Sequence, residues 1–319
     1  MWVRFIISGL IIFFAGRRLP KYVRIISART GIGESYLGLI ALGAITSFPE
    51  LVTSLSSSSL LKDPDLALSN ILGSNIFNVT IIAILFIWSG KMFFNKGDKG
   101  NFLAAFLGIL MTTLVGLAIL QRSKFTILGI CYLSWLLLFL YLFSIRWLYK
   151  VDRDKIHPQA EKGKIGNIYL KGIFSALLII IAGYEASFSC KGIANAMHWE
   201  SSFVGSLFLA VATSLPELTV CLSAFKIGSP EMAIGNVFGS NIFNLAIIFP
   251  IDLFYPGSIF SSVSRYQILI ALEGIFLTIL AMAGIAYRSN RKVGLIPDGF
   301  FMIFVYFFGF LWMFHNMKK

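Results

Sequence analysis

Charge is scarce in this chain. Only 13% of its 319 residues are Asp, Glu, Lys or Arg, and just 15 of them are acidic. That leaves too little polar surface to cover a water-soluble globule. Histidine is equally rare, and His157, His198 and His315 lie far apart in connections and the tail, which excludes a histidine metal cluster. The three cysteines, Cys131, Cys190 and Cys221, stand singly in apolar segments, so neither a disulfide framework nor a thiolate metal centre is expected. No nucleophile with a matching base and no aspartate dyad stands out. The chain therefore reads as a non-enzyme without catalytic residues or a resident cofactor.

Apolar residues make up 57% of the chain and the mean hydropathy is +0.81. Runs of roughly 18 to 25 apolar residues, the length that spans the hydrocarbon core, recur throughout. Ten segments can be drawn: 3–28, 35–60, 66–89, 101–121, 125–148, 168–195, 201–226, 231–254, 266–287 and 295–315. The first contains Gly16-Arg17-Arg18-Leu19-Pro20-Lys21, so its second half is expected to kink. It begins like a signal peptide after Arg4, but no small-residue cleavage site precedes Arg17, and it reads as a retained helix.

The net charge of +12 does not indicate nucleic acid binding, because the 27 Lys and Arg residues lie in connections rather than in a basic domain. With the N-terminus outside, 18 of them fall on the inner side and 8 on the outer, Lys171 lying at a helix edge. The positive-inside rule then places both termini outside and the central linker in the cytoplasm. The lipid bilayer is the expected surrounding.

The most informative feature is an internal duplication. Thr46-Ser47-Phe48-Pro49-Glu50 is echoed by Thr213-Ser214-Leu215-Pro216-Glu217, and the string from Asn70 to Asn78 matches that from Asn236 to Asn244 at seven of nine positions. One half covers 1–149, a hydrophilic linker 150–167, and the second half 168–319. Five segments per half is an odd number. The expected fold is an all-α membrane protein of ten transmembrane helices arranged as two inverted five-helix repeats, with a shared site near the midplane.

Each copy places hard oxygen donors at membrane depth. A proline in a helix removes a backbone hydrogen bond, here near Ile45 and Ala212, and irregular backbone at that depth persists only where it lines a cavity. Beside it stand Thr46, Ser47 and Glu50, or Thr213, Ser214 and Glu217. Carbonyls, hydroxyls and carboxylates suit Ca²⁺ or Na⁺ rather than soft metals. A proline kink with nearby hydroxyls usually has no ligand. A buried glutamate is different, because it costs about 2.5–3.5 kcal/mol at the bilayer centre even on lenient scales, and here it occurs twice.

In the second string Gly73-Ser74 and Gly239-Ser240 could serve close helix packing alone. Ser74 and Asn78, like Ser240 and Asn244, share a helical face that can turn toward the glutamates. Asn75 and Asn241, about 100° away, are expected to bond the broken backbone of a neighbouring helix. Glu185 and Glu273 lack an acidic counterpart in the other half and read as interfacial or helix-pairing residues. Asp252 reads as interfacial.

At these residues the chain resembles the cation/calcium exchanger superfamily, most closely its prokaryotic sodium/calcium exchanger branch. The resemblance covers nearly the whole chain. It implies a plasma-membrane antiporter that exchanges Ca²⁺ for Na⁺ by alternating access, as a monomer, with central ion sites on the second, third, seventh and eighth helices and with the first and sixth helices mobile. By the same resemblance Glu50 and Glu217 are the shared carboxylate ligands. Ser47, Ser74, Ser214 and Ser240 supply hydroxyls and Asn78 and Asn244 amides. Thr46, Thr213, Gly43 and Ala210 supply backbone carbonyls. Many sodium/calcium exchangers have Asp where this chain has Asn244, which keeps open a Ca²⁺/H⁺ antiporter or an exchanger of another divalent cation. The linker is too short for the Ca²⁺-sensing domains of animal exchangers. A channel or membrane protease is less consistent with paired broken helices and no catalytic set.

Overall fold

The computed structural model describes residues 1–89, 99–153, 166–197, 204–289 and 297–317. The histidines at 157 and 198 and residues 154–165 of the linker lie outside the described residues. The first half contains α1 (Trp2–Gly16), α2 (Leu19–Thr30), α3 (Glu34–Leu37), a π-helical segment (Gly38–Leu42), α4 (Gly43–Thr46), α5 (Phe48–Ser59), α6 (Pro64–Ser89), α7 (Lys99–Leu120) and α8 (Tyr132–Arg153). The second contains α9 (Gly166–Ala196), a π-helical segment (Val204–Leu209), α10 (Ala210–Thr213), α11 (Leu215–Lys226), α12 (Pro230–Leu253), the single turn α13 (Ile259–Ser262), α14 (Tyr266–Ser289) and α15 (Pro297–Met317).

Among the described residues, α6, α7, α8, α9, α12 and α14 are long and apolar enough to cross a membrane. Counting each bent assembly, α3–α5 and the second π-helical segment through α11, as one span brings the number to eight. α1 has 15 residues, and the apolar stretch Gly299–Trp312 of α15 is shorter still, so both fall below that length.

Two segments differ from the sequence expectation. The first is two helices, because the chain breaks at Arg17-Arg18 and Pro20 sits in the opening turn of α2, where its missing N–H costs nothing. The fifth does not begin as helix at 125. Residues Thr126–Ile127 (β1) pair antiparallel with Ile130–Cys131 (β2) across Leu128 and Gly129, both at positive φ. Positive φ at both central residues is the geometry of a tight hairpin turn, which glycine adopts freely, and β-branched residues flank it.

Burial ranks the helices. The apolar windows of α6 and α12 are 78% and 89% covered by protein, whereas that of α8 is only 28% covered. α6 and α12 therefore form the centre of the bundle, and outer faces such as Phe139, Leu142 and Phe143 on α8 or Phe300, Phe304 and Phe308 on α15 are left for lipid. Matching polar clamps fix both central helices. Asn101 Nδ2 donates to the Glu231 carbonyl at the start of α12, and Gln267, 166 residues later, donates to the Asp65 carbonyl and side chain at the start of α6.

The first π-helical segment meets α12 backbone to backbone. A Cβ placed on Gly239 would lie 1.8 Å from the Leu39 carbonyl oxygen, and one on Gly43 would lie 2.8 Å from the Gly239 carbonyl carbon. Neither neighbour is a side chain that can swing aside. Gly239→Ala is therefore expected to destabilise the protein by at least the roughly 1–3 kcal/mol typical of overpacking, read as a lower melting temperature in detergent, whereas Ala at the open Gly116 does not lower it.

Candidate cation site

The two Thr-Ser-x-Pro-Glu strings stop one helix and start another. α4 ends at Ser47 (φ −87, ψ 7) and α10 at Ser214 (φ −88, ψ 9); the following helices leave at bends of 40° and 48°. Both helices are interrupted beside their prolines, in line with the kink or local unwinding that the sequence suggests. Pro49 and Pro216 occupy the first turns of α5 and α11, where helical N–H groups have no partner anyway. Glu50 and Glu217 share those first turns, so each carboxylate sits at the positive end of a helix dipole. A π-helical segment precedes each break, an irregularity that the sequence did not signal and that recurs at functional sites.

The two halves complete each other. Ser47 Oγ donates to Glu217 Oε1 at 2.8 Å, and Ser214 Oγ donates to Glu50 Oε1 at 2.9 Å. Thr46 and Ser240 share a hydroxyl hydrogen bond at 3.2 Å, as Thr213 and Ser74 do at 3.1 Å. Every one of these side chains is fully buried.

Four oxygens in this cluster have no partner: Glu50 Oε2, Glu217 Oε2, Asn78 Oδ1 and Asn244 Oδ1. All are acceptors. Buried polar atoms in native proteins are nearly always bonded, and an orphaned carboxylate oxygen is costly. A cation satisfies several acceptors at once where a donor side chain would satisfy one. Among the described residues no three His, Cys, Asp or Glu side chains converge, so the donor set is carboxylate, amide and hydroxyl oxygen, the preference of hard cations.

The carbonyls of Gly43 and Ala210 already accept backbone bonds from Ser47 and Ser214 at 3.1 and 3.0 Å. Each also receives a hydroxyl, from Ser240 at 3.4 Å and from Thr213 at 3.1 Å respectively.

Asn75 and Asn241 do not bond the broken helices. Asn75 Nδ2 donates to the Asn241 carbonyl and Asn241 Nδ2 to the Asn75 carbonyl, at 3.3 and 3.1 Å, joining the two unbroken helices α6 and α12. Their side-chain oxygens accept from Asn78 and Asn244, at 3.1 and 3.0 Å. This ring spends the amide nitrogens of Asn78 and Asn244 and leaves their oxygens free to face a cation.

Asn70 and Asn236 were not singled out from the sequence. Each accepts from the threonine of the opposite half, at 3.4 and 3.3 Å. Their standing first in both repeated strings was the available signal. Their amides show where the halves diverge: Asn70 donates to Ser54 Oγ and Asn236 to Cys221 Sγ.

The remaining acids lie elsewhere. Asp252 is not interfacial but fully buried, accepting the backbone N–H of Cys131 and Ile259 and the hydroxyl of Ser134 at 2.7, 2.8 and 2.8 Å. Those donors anchor the hairpin to α12 and leave no geometry for an ion. Glu273 is half-buried against Gly309, a helix-pairing position between α14 and α15. Glu185 is half-buried on α9 and belongs to a separate groove.

Glu50→Gln or Glu217→Gln is therefore expected to abolish most Ca²⁺ binding, measured by calorimetry on folded, detergent-purified protein. Asp252→Ala separates the roles. It strands two backbone donors and lowers the melting temperature, but the protein that remains folded keeps its Ca²⁺ affinity within about twofold.

Residues 1–150 and 169–313 match the family model described as sodium/calcium exchanger protein. The inner membrane protein YrbG of Escherichia coli is 26% identical, over 94% of each chain. The sodium/calcium exchanger MaX1 of Methanosarcina acetivorans is 26% identical, over 89% of this chain and 91% of its own. The putative antiporter CaxA of Alkalimonas amylolytica is 25% identical, over 92% and 93%. Among solved structures, the sodium-calcium exchanger NCX_Mj soaked with 100 mM Na⁺ and 10 mM Sr²⁺ superposes with a TM-score of 0.71 at 20% identity, covering 97% of this chain and 98% of that one. That likeness is one of fold.

Proposed function

The chain belongs to the sodium/calcium exchanger family, and on that premise we propose that it is a secondary antiporter exchanging Ca²⁺ for Na⁺ across the plasma membrane by alternating access. The observation that carries the reading is the set of four buried acceptor oxygens without partners, two of them carboxylate, built equally by both halves. Two carboxylates offer about two negative charges in a medium where charge is expensive, and one Ca²⁺ or two Na⁺ neutralises them. Competition for the same charge is the physical basis of exchange. A loaded site can be occluded and re-exposed, whereas a site with two bare carboxylates resists crossing.

The ligands in this reading are Glu50, Glu217, Ser47, Ser74, Ser214, Ser240, Asn78 and Asn244, with the carbonyls of Thr46, Thr213, Gly43 and Ala210 as further oxygens. Sodium is favoured over protons because a proton needs only the carboxylates, whereas the neutral hydroxyl and amide oxygens around them serve a metal cation. Asn244 adds a ligand without adding a titrating group.

The arrangement assigned to the chain is ten crossings in two inverted five-helix repeats, both termini outside, functioning as a monomer. The moving pair is α1 and α9. Support comes from how these two touch the broken helices: Gly183 of α9 lies against Pro49, and Gly16 of α1, 167 residues earlier, lies against Thr219 of α11. Glycine at both contacts leaves smooth surfaces past which the site-bearing helices can slide.

In proteoliposomes, an imposed Na⁺ gradient is expected to drive ⁴⁵Ca²⁺ flux at constant pH, and Ser74→Ala or Ser240→Ala to weaken Na⁺ dependence more than Ca²⁺ binding. Flux that follows a pH gradient and ignores replacement of Na⁺ by choline overturns the sodium reading in favour of proton coupling. The topology is checked by single cysteines at Gln159 and Asn316 on a cysteine-free background. They should react with impermeant reagent from opposite sides, and labelling from one side removes the inverted repeat.

A further inference from the structure

Outside the ion site, a cavity of about 390 Å³ opens between α1 and α9. Its walls are apolar, made by Ile7 and Ile11 of α1 and Leu178 and Ile181 of α9, with the buried Ser8 and Ala182 beneath them, and it is lined as well by one cation, Arg4, and one anion, Glu185. These charges do not pair with each other: the ion pair found among the described residues is Arg24 with Glu34.

The depth of the groove follows from helix register. Met1 packs on Gly192, and Ile12 clusters with Ala182 and Ala186, so the start of α1 runs beside the last turns of α9. By length and composition the candidate span on α9 ends at Cys190. Glu185 is five residues inside that end, about 7–8 Å along the helix axis. Arg4 stands in the first turn of α1. Both charges therefore lie within about two turns of that end, with the apolar walls running from them toward the bilayer centre.

An apolar trough of this size, open to lipid and ending in one fixed cation and one fixed anion, complements an amphiphile with a zwitterionic head. We propose that it binds a phospholipid of the ethanolamine class, its phosphate on the Arg4 guanidinium, its primary ammonium on the Glu185 carboxylate and one acyl chain along Ile7, Ile11, Leu178 and Ile181. A guanidinium pairs with phosphate through two parallel hydrogen bonds, and a primary ammonium donates directly to a carboxylate. A choline head cannot make the second bond, having no N–H. A glycerol head brings no cation to Glu185.

Native mass spectrometry of the delipidated full-length protein provides the test, titrating phosphatidylethanolamine, phosphatidylcholine and phosphatidylglycerol with matched chains. Phosphatidylethanolamine is expected to bind at least fivefold more tightly than either competitor, and Glu185→Gln to erase that preference while Arg4→Gln weakens all three. Soluble phosphoethanolamine should displace the lipid only weakly, because it leaves the apolar walls uncovered; equal competition overturns the lipid assignment. Equal affinity for all three lipids in the unsubstituted protein, or tightest binding of phosphatidylglycerol, overturns the proposal whether or not the variants fold. The readout is independent of ion flux, so its failure leaves the transport reading untouched.

Discussion

Two carboxylates buried within one membrane-embedded cluster set the terms for the rest of this molecule. Neither can remain charged there without hydrogen-bond donors, yet donors on all four oxygens would leave nothing for a cation. The solution is to bond one oxygen of each glutamate to a serine of the opposite half, leaving Oε2 unpartnered on both Glu50 and Glu217. The asparagines follow the same division. Their nitrogens are spent on the ring between α6 and α12, and their oxygens on Asn78 and Asn244 remain free. Donors are bonded within the protein, and the atoms left over are acceptors.

This division requires closely spaced, rigid helices, and the local sequence explains how they are held. A helix that ends at Ser47 or Ser214 and restarts with proline in its first turn can present a serine and a glutamate at the break without losing interior hydrogen bonds. Glycine where the first π-helical segment meets α12 lets two backbones touch. Asn101 and Gln267 fix the starts of the central helices at equivalent places. The outer helices are bound less tightly, with α8 mostly facing lipid. Burial is greatest on the two helices that carry the asparagine oxygens.

Much of this was legible in the sequence because repetition and misplaced polarity are visible without coordinates. A Glu within an apolar run is anomalous, and its recurrence after 167 residues marks a candidate site. The positions of most helices followed from apolar run length. What escaped was set by partners distant in sequence. Asp252 looked interfacial because its three donors come from Cys131, Ser134 and Ile259, two of them about 120 residues earlier. Asn75 and Asn241 pair with each other, which no property of either helix alone announces. The hairpin at 126–131 was hidden in a run apolar enough to pass for the start of a helix, with Gly129 as its one turn signal. The prolines were seen, but their place in a new first turn depends on backbone angles at Ser47 and Ser214.

The crossing of the serine–glutamate bonds has a consequence for ancestry. A half-length chain would carry its own glutamate but not the hydroxyl that holds it, since that serine lies on the other half. Two identical half-length copies related by a twofold axis would supply both bonds to each other. The architecture is therefore as accessible to a homodimer of a shorter protein as to the fused chain. In a single chain the copies need not stay identical, and the pairing of Asn70 with Ser54 but of Asn236 with Cys221 is one place where they differ.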